Sequence, residues 1–272
     1  MANSVESLRS RIPARRIADI PNDVMEAMSD GLMPSKNLTE WLAVDRPRLL
    51  DRMSQQLGFR KEYLAADIWS AELMGQSALK HSMAISQFLS QVCQVGDELW
   101  KRLTSHDSDI VREWSAIVVG LDEKLTFARK LAWIKPIADD DHPGLREVAW
   151  MALRPDVARN VEKSIRSLVP WTGSRRERLR RYASEITRPC GVWTKHISEL
   201  KMNPELGLSI LEPLCSDDAK YVRDSVANWL NDASKSQPEW VRSVTDTWLK
   251  ASPTKNTASI VKRALRTIGT IR

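Results

Sequence analysis

Two carboxylates with arginines close by in the sequence are the residues best suited to chemistry. Glu185 follows Arg181 by four residues and precedes Arg188 by three. Asp232 closes an apolar helical segment in which Asn228 lies one turn earlier. Such carboxylates can stabilise a developing positive charge and position a water molecule, while arginines bind phosphates. The competing interpretations are structural: a surface ion pair for Glu185 with Arg181, and a helix N-cap for Asp232.

Indoles and further arginines form a second group of candidate ligand contacts. Trp150 and Arg154 are four residues apart, so they share one face of a helix. Trp193 follows the segment that carries the first carboxylate, and an indole face attracts a cation by about 0.5–2 kcal/mol. Arg175 and Arg178 belong to a run of arginines too dense for one helix face, and we expect them to contact phosphates. A solvated helix face is the structural alternative for that run.

Helix packing must position these side chains, because the chain is helical throughout. Apolar stripes with a helical period recur, whereas sustained strand alternation is absent. A phrase made of a polar turn, an apolar residue and a basic residue occurs five times, at separations of 34, 34, 43 and 39. The basic residues of this register are Arg112, Arg146, Arg180, Arg223 and Lys262. The period is typical of HEAT repeats, in which stacked helix pairs bury a continuous core.

The positive charge is concentrated in the second half of the chain. Residues 1–144 carry 18 Lys and Arg against 21 Asp and Glu, a balance of −3. Residues 145–272 carry 23 against 14, a balance of +9. Such a half favours docking to a polyanion, with nucleic acid as the first candidate. Charge alone does not separate this interpretation from a merely soluble surface.

The sequence therefore predicts an all-α protein with a HEAT-like repeat α-solenoid fold. Residues 1–100 lack a clear repeat phrase and are interpreted as a helical N-terminal cap. Residues 101–272 are interpreted as repeats that form a basic concave groove for DNA, in one continuous domain with the cap. Five tryptophans on apolar stripes are expected to pack in the core, namely Trp114, Trp133, Trp229, Trp240 and Trp248.

Composition argues against several other classes of protein. The 272 residues contain no apolar run of eighteen, and no apolar segment follows the basic residues near the start, so we expect no membrane span and no secretory signal. The three cysteines are widely spaced and the histidines form no HxxxH pair, which argues against a metal site and favours a reducing cytoplasm. No glycine-rich loop indicates a bound nucleotide. We expect no cofactor.

Two strings in the basic half resemble those of a known enzyme family. Residues 184–189 are SEITRP, with Trp193 shortly after, and residues 225–232 are SVANWLND. These strings resemble the HEAT-like repeat DNA glycosylases that remove alkylated bases, the AlkC branch most closely and AlkD more distantly. The resemblance covers roughly residues 100–250, and residues 200–223 between the two strings also look like the AlkC branch.

The resemblance implies an activity, a partner and a set of site residues. Such enzymes hydrolyse the N-glycosidic bond of cationic bases such as 3-methyladenine and 3-methylcytosine, without a metal or cofactor, and leave an abasic site. Carried onto this sequence, the catalytic carboxylates are Glu185 and Asp232. Positions that surround the lesion in the family are matched by Arg181, Arg188 and Trp193. The implied partner is double-stranded DNA containing alkylated bases, and the protein is expected to act as a monomer.

The sequence departs from the family pattern in one place, and two other functions stay open. AlkC relatives carry a further carboxylate just before an Arg-Pro pair, whereas here Trp150 to Leu153 precede Arg154 and Pro155. The immunoglobulin-like domain of some members is not expected either. One alternative function is a non-catalytic HEAT-repeat protein that binds damaged or bent DNA. The other is a scaffold for protein interactions.

Overall fold

The computed structural model describes residues 5–59, 77–191 and 193–269. The predicted cap (1–100) and the predicted repeats (101–272) each include some residues outside the described part. These are residues 1–4, 60–76, 192 and 270–272. The described residues form α-helices and short 3-10 helices joined by turns, with no strand among them. The predicted all-α fold is therefore confirmed.

The helices follow one another with short connections. Up to residue 121 they are α1 (Val5–Arg9), α2 (Asn22–Ser29), α3 (Leu38–Ala43), α4 (Arg46–Leu57), α5 (Ala78–Val92), α6 (Glu98–Thr104) and α7 (Asp109–Leu121). The next are α8 (Phe127–Ala138), α9 (Pro143–Arg159), α10 (Val161–Thr172), α11 (Glu177–Ile186), α12 (Ser198–Met202), α13 (Leu208–Leu211), α14 (Lys220–Ser234), α15 (Pro238–Ala251) and α16 (Lys255–Ala264). None of the helices in the described part of the chain is long and apolar enough to cross a bilayer.

The described residues group into two compact units. The first lies within Met1–Leu125 and Asp140–Ala152, and the second within Thr126–Asp139 and Leu153–Arg272. Helix α9 contributes its first part to one unit and its last part to the other. Both predicted carboxylates and both strings of the family resemblance belong to the second unit.

The first unit contains buried polar residues that are paired inside its core. Trp41 donates from Nε1 to Oε2 of Glu113 at 2.8 Å, and Ser35 donates from Oγ to Asp109 at 2.6 Å. Burial raises the pKa of Glu113, and the charge of Arg46 and hydrogen bonds only partly offset this effect. The contacts join the turn before α3, and α3 itself, to helix α7, so they tie the predicted cap to the first repeat phrase.

The basic residues of the repeat register have the same backbone role in four repeats. In each case Nη1 donates to the carbonyl oxygens five and six residues earlier, at 2.7–3.3 Å. The four residues are Arg112, Arg146, Arg180 and Arg223. The fifth, Lys262, is exposed. The guanidinium thus holds the turn that precedes its own helix, which explains why a polar turn and an arginine recur together.

Arg180 also connects one repeat to the next. Its Nε and Nη2 atoms form a two-point ion pair with Asp217, at 2.6 and 2.9 Å. Asp217 lies in the turn before α14, in the following repeat. Arg112 approaches Asp140 of its next repeat in the same way, at 3.5 Å. The acidic turns are therefore counter-charges for the arginine of the preceding repeat.

Within the second unit, the helices that carry the repeat phrase lie side by side. Helix α14 packs against α11 on one side and α16 on the other. The indole of Trp229 on α14 is fully buried and donates to Thr187 Oγ1 at 3.2 Å. A Cβ atom at Gly207 would lie 2.4 Å from that indole, so only glycine fits at this position. This packing brings the SEITRP and SVANWLND strings together.

The expected burial of tryptophans is confirmed in part. Trp114 and Trp229 are fully buried and Trp248 is 5% exposed. Trp240 is partly exposed and lies against Trp229, with ring centroids 6.2 Å apart. The prediction for Trp133 is wrong, because its side chain is 37% exposed. The apolar stripe of α8 is wider than the face that neighbouring helices cover, which leaves an indole at its edge in water.

The ion pair between repeats predicts a stability effect. We expect Arg180→Gln to lower the free energy of unfolding by about 2 kcal/mol, because it leaves the carboxylate of Asp217 and two carbonyls without their donor. The matched control is Arg166→Gln, which removes an exposed pair with Glu162 and should cost less than about 0.5 kcal/mol. Urea unfolding followed by tryptophan fluorescence measures both. Equal midpoints for the two variants would contradict the role given to Arg180.

Candidate active site

Helix α11 is covered on several sides, so both its polar and its apolar residues are buried. Helices α8 and α10 pack against it, and α14 packs against it as well. Its buried residues are Leu179, Arg181, Tyr182, Ala183, Ser184, Glu185 and Ile186. Because water is excluded from these side chains, each polar group among them needs a partner within the protein.

Both carboxylate oxygens of Glu185 accept hydrogen bonds. Arg188 donates from Nη1 to Oε1 at 2.6 Å, and Ser225 donates from Oγ to Oε2 at 2.6 Å. Ser225 in turn accepts from Ser184 at 2.7 Å. Arg181 Nη2 lies 3.5 Å from Oε2. Since Glu185 is only 4% exposed, the interpretation as a surface ion pair is wrong.

A single guanidinium joins the two carboxylates. Arg188 Nε and Nη2 each lie 2.8 Å from Asp232 Oδ2, while Nη1 is bound to Glu185. The other oxygen of Asp232, Oδ1, lies 3.3 Å from Lys235 Nζ. Asp232 is inside α14, and α15 begins after Gln237 with no side-chain cap, so the N-cap interpretation is wrong. The structure therefore brings three of the predicted site residues into direct contact.

The electrostatics keep Glu185 ionised. Burial by itself raises the pKa of this carboxyl, but the charges of Arg181 and Arg188 and the hydrogen bonds from Ser225 and Arg188 outweigh it. The pKa of Glu185 therefore lies below its ordinary value of 4.5. For Arg188 the directions are opposite. Burial by itself lowers the pKa of this guanidinium, but the carboxylates of Glu185 and Asp232 outweigh burial and raise it above its ordinary value. At neutral pH, Glu185 is an anion in a nearly water-free place.

Positive charges outnumber negative ones around the pair. Five cations interact with the two carboxylates, a balance of +3. The cations are Arg154, Arg181, Arg188, Lys235 and Arg266. An excess of this sign attracts an anionic ligand such as a phosphate.

Arg154 is buried and holds the backbone at the end of α11. Its Nη1 donates to the carbonyl of Ile186 at 2.8 Å, Nη2 to that of Arg188 at 2.5 Å, and Nε to that of Lys195 at 3.2 Å. Burial lowers the pKa of Arg154 to about 10, with a further contribution from the charge of Arg188. The side chain is thus still charged at neutral pH. These contacts favour a role for Arg154 in fixing the segment that carries Arg188, rather than direct contact with a ligand.

Trp193 differs from every other described tryptophan in its exposure. Its side chain is 61% exposed, and its backbone has a φ of 58°, in the left-handed region. A non-glycine residue there costs about 1–3 kcal/mol, and such strain is concentrated at ligand sites. The indole follows Arg188 by five residues. Exposure and backbone strain together favour a ligand contact for Trp193.

The other predicted arginines have different surroundings. Arg175 is exposed, as a phosphate contact requires. Arg178 is half-buried and donates to the carbonyl of Asp139 at 2.8 Å. Arg181 is buried, and its guanidinium lies 4.5 Å from the centre of the Tyr221 ring, where cation–π attraction holds it.

Trp150 lies in the first unit rather than the second. Its side chain is 2% exposed and its Nε1 donates to Glu147 Oε2 at 2.8 Å. The position favours core packing for Trp150.

Residues that sequence reasoning missed complete the carboxylate pair. Ser225 lies seven residues before Asp232, a spacing of two helical turns, so the two share one face of α14. That spacing is the sequence signal from which Ser225 could have been predicted as a site residue. Lys235 is placed by the same rule, three residues after Asp232. Glu185 and Arg188, by contrast, become recognisable as the partners of Ser225 and Asp232 only when the helices are packed.

The site offers two carboxylates for chemistry, and the thiol beside it is poorly suited to act as a nucleophile. Burial raises the pKa of Cys190, the cysteine next to the SEITRP string, so its thiol stays protonated at neutral pH. Within residues 5–59, 77–191 and 193–269, no group of three His, Cys, Asp or Glu side chains is arranged to hold a metal ion.

The bridge through Arg188 predicts a pH-dependent loss of stability. We expect Arg188→Gln to lower the free energy of unfolding by about 3–5 kcal/mol at pH 7, because two buried carboxylates lose their shared cation. In the wild type, the lowered pKa of Glu185 stabilises the fold above the unfolded pKa, and this contribution is lost as pH falls. In the variant, burial is offset less and the pKa of Glu185 is higher, so protonation of Glu185 at low pH relieves part of the destabilisation.

The deficit of Arg188→Gln should therefore be smaller at pH 4 than at pH 7, as measured by urea unfolding at both values. Arg188→Lys is the matched control, since it keeps the charge but cannot bridge both carboxylates with one planar group. We expect it to be intermediate. A deficit that grows on acidification would contradict this electrostatic account.

The basic region of the chain is similar to known proteins. Residues 146–268 match the family model described as DNA alkylation repair enzyme. The uncharacterised protein YhaZ of Bacillus subtilis (strain 168) is 44% identical over 117 residues, which are 43% of this chain and 32% of that protein. The chain thus spans about a third of the length of this curated relative.

Solved structures agree with the same assignment. The alkylpurine DNA glycosylase AlkC of Pseudomonas fluorescens, bound to DNA containing an abasic site analog, has a TM-score of 0.61 and 29% identity, over 73% of this chain and 55% of that one. AlkD2 of Streptococcus mutans shares the fold, with a TM-score of 0.61 and 20% identity over 83% of this chain and 100% of that one. The predicted helical-repeat fold is confirmed by these neighbours. Residues 146–268 of this chain thus match the DNA alkylation repair enzyme family model, and the chain shares the fold of HEAT-like repeats seen in AlkC and AlkD2.

Proposed function

We propose that this protein is a monofunctional DNA repair glycosylase. It hydrolyses the N-glycosidic bond of cationic alkylated bases, of the 3-methyladenine and 3-methylcytosine class, and leaves an abasic site. The observation that carries the proposal is the pair of buried carboxylates, Glu185 and Asp232, joined by Arg188 within the family-matched region. The likeness to AlkC, which was solved with DNA containing an abasic site analog, supports duplex DNA as the partner. We propose that the protein acts as a monomer.

The chemistry of a cationic base suits a site of this kind. Alkylation at N3 or N7 gives the base a positive charge, so it leaves with the electron pair of the C1′–N bond and becomes neutral. No general acid is needed to protonate it. The remaining need is to stabilise the oxocarbenium-like sugar and to direct a water molecule at C1′. Fixed anions in a site of low dielectric constant meet the first need, and a carboxylate that binds water meets the second.

The two carboxylates are suited to different parts of this reaction. Both oxygens of Glu185 are held by Arg188 and Ser225, so this residue is a fixed negative charge for the sugar cation. Asp232 uses Oδ2 for Arg188, and among the described residues its Oδ1 has a single, longer contact of 3.3 Å with Lys235, which is half-exposed. Oδ1 is therefore the atom that orients the water and takes its proton as the new C1′–O bond forms.

The surrounding residues are proposed to hold DNA in two ways. Trp193 contacts the lesion or the exposed sugar with its indole, and Arg175 contacts phosphate. Arg181 and Arg188 keep Glu185 ionised, and Arg154 fixes the backbone at the end of α11 that carries Arg188. Arg178 contributes positive charge beside Arg175 while it binds the carbonyl of Asp139.

A second candidate function is DNA binding without cleavage. The observation that favours it is the engagement of both carboxylates by Arg188, together with their 4% exposure. In that case, the network is a structural staple between α11 and α14. A measurement of base release decides between the two functions, because a staple predicts none.

Removal of the charge from either carboxylate tests the reaction itself. We expect the wild type to release methylated bases from dimethyl-sulfate-treated DNA, and Glu185→Gln and Asp232→Asn to release them at least about 100-fold more slowly. Chromatography of the released bases gives the rates, and gel mobility shift of the same duplex checks that binding survives. Each variant is isosteric, so loss of charge is the change. If the wild type releases no base above the spontaneous rate while binding DNA, the non-catalytic function is correct.

A further prediction concerns the hydroxyl that supports Glu185. Ser225→Ala removes a hydrogen bond that lowers the pKa of Glu185, so that pKa rises and the acidic limb of the pH–rate profile moves to higher pH. Besides Ser225, the groups that set this pKa are Arg181 and Arg188. Ser234→Ala is the matched control, because Ser234 is also buried on α14 but donates to the carbonyl of Asn231. An unmoved acidic limb in Ser225→Ala would remove Glu185 from the reaction.

A further inference from the structure

The SVANWLND string contains an asparagine that no step of the proposed reaction uses. Asn228 accepts two charged donors on one amide oxygen, from Arg263 Nε at 3.2 Å and from Arg266 Nη1 at 3.2 Å. The two guanidinium groups therefore converge on an uncharged acceptor. The two like charges repel each other, and an anion bound between them would relieve this repulsion.

The backbone that carries these arginines is held in place. Asn231 donates from Nδ2 to the carbonyl of Ala264 at 2.9 Å and to Thr267 Oγ1 at 2.9 Å. Arg242 donates to the carbonyls of Ile268 and Gly269, both at 2.8 Å. The end of α16 and the turn after it are thus fastened to α14 and α15. The two guanidinium groups are preorganised rather than merely attached to a surface tail.

The local charge is not balanced by carboxylates. Asp224 is shared between Arg263 at 3.3 Å and Lys220 at 2.5 Å. Among the described residues, no carboxylate forms an ion pair with Arg266, although Asp232 is near enough to raise its pKa. Partial burial and the charge of Arg263 outweigh this effect and lower the pKa of Arg266. Arg263 and Lys220 thus share one carboxylate, and Arg266 adds a further positive charge beside them.

This cationic notch, formed by Asn228, Arg263 and Arg266, lies beside the carboxylate pair. Asn228 is four residues before Asp232 on α14, one helical turn or about 6 Å along the axis. Arg266 is also close enough to Arg188 for their charges to interact. Arg263 is 44% exposed, so an anion reaches the notch from solvent.

We infer that the cationic notch binds one phosphodiester group of the DNA strand that carries the lesion. The inference rests on the proposed function. A phosphate oxygen accepts from both guanidinium groups, while Asn228 keeps them apart at a fixed spacing. Binding of this phosphate, one turn from Asp232, sets the register of the sugar against the two carboxylates.

The test uses the whole protein and a duplex with a single abasic-site analog. We expect Arg263→Gln with Arg266→Gln to weaken binding about tenfold and to reduce the slope of log K against log salt by about 0.9, the value for one phosphate. Asn228→Asp should weaken binding while keeping both arginines, because the new carboxylate neutralises them. Arg166→Gln, an exposed arginine paired with Glu162, is the charge control and should leave the slope unchanged.

Neutral methylphosphonates placed one at a time along the strand locate the contact. A methylphosphonate at one position should weaken binding by the wild type and have no effect on binding by the double variant. An altered fold of the double variant would not produce this position-specific result. Competition by inorganic phosphate distinguishes a general anion site from one that requires the strand. An unchanged slope in the double variant, or equal sensitivity to every methylphosphonate, would overturn the inference.

Failure of this inference is separable from failure of the proposed function. If the wild type releases methylated base but the double variant keeps the wild-type slope, the inferred phosphate contact is wrong and the proposed glycosylase function is supported. If the slope falls as expected but no base is released, the phosphate site stands and the glycosylase is wrong. Absence of any DNA binding by the wild type would overturn both.

Discussion

The guanidinium of Arg188, shared between Glu185 and Asp232, is the interaction on which the rest of the site depends. Each carboxylate is buried, and a buried charge without a partner costs several kcal/mol. One planar group with five donors satisfies both at once, at 2.6–2.8 Å. The same guanidinium joins the end of α11 to α14, so stability of the helix stack and ionisation of Glu185 have a common origin.

The repeat architecture makes this interaction possible. In four repeats, an arginine holds the turn before its own helix, and Arg180 also pairs with the acidic turn of the next repeat. These contacts lie in the turns before the helices, so they set the spacing of successive helices and leave the helix surfaces that face each other available for other residues. The faces of α11, α14 and α16 are then free to carry the polar residues that break the repeat pattern. A regular framework and an irregular site therefore occupy different parts of the same helices.

Within the SVANWLND string, each polar residue has a different partner. Ser225 and Asp232 face Glu185 on α11 and Arg188 just beyond its end. Asn228 and Asn231 face the end of α16 and the segment that follows it. Helix α14 thus carries a carboxylate toward α11 and the cationic notch toward α16, one turn apart. The proposed substrate, a DNA strand with an anionic backbone and a cationic alkylated base, has charges that match both.

The amino-acid sequence by itself determined the all-α fold, the repeat register and the two carboxylates. Period and turn composition report which face of a helix is apolar and where it ends, so the helices and the repeat arginines were predictable. The two strings also pointed to Glu185, Arg188 and Asp232 together. Such patterns are local, or repeat at a fixed spacing, and a single sequence contains them in full.

Only the tertiary structure decided what each side chain contacts. A surface ion pair and a buried anion look the same at i,i+4 spacing, and the difference for Glu185 is that α14 covers α11. Burial of Arg154 and Trp150, exposure of Trp193, and the convergence of Arg263 and Arg266 on Asn228 depend likewise on neighbouring helices. Partners 35 to 44 residues apart are set by how helices stack, and helical periodicity does not encode that distance.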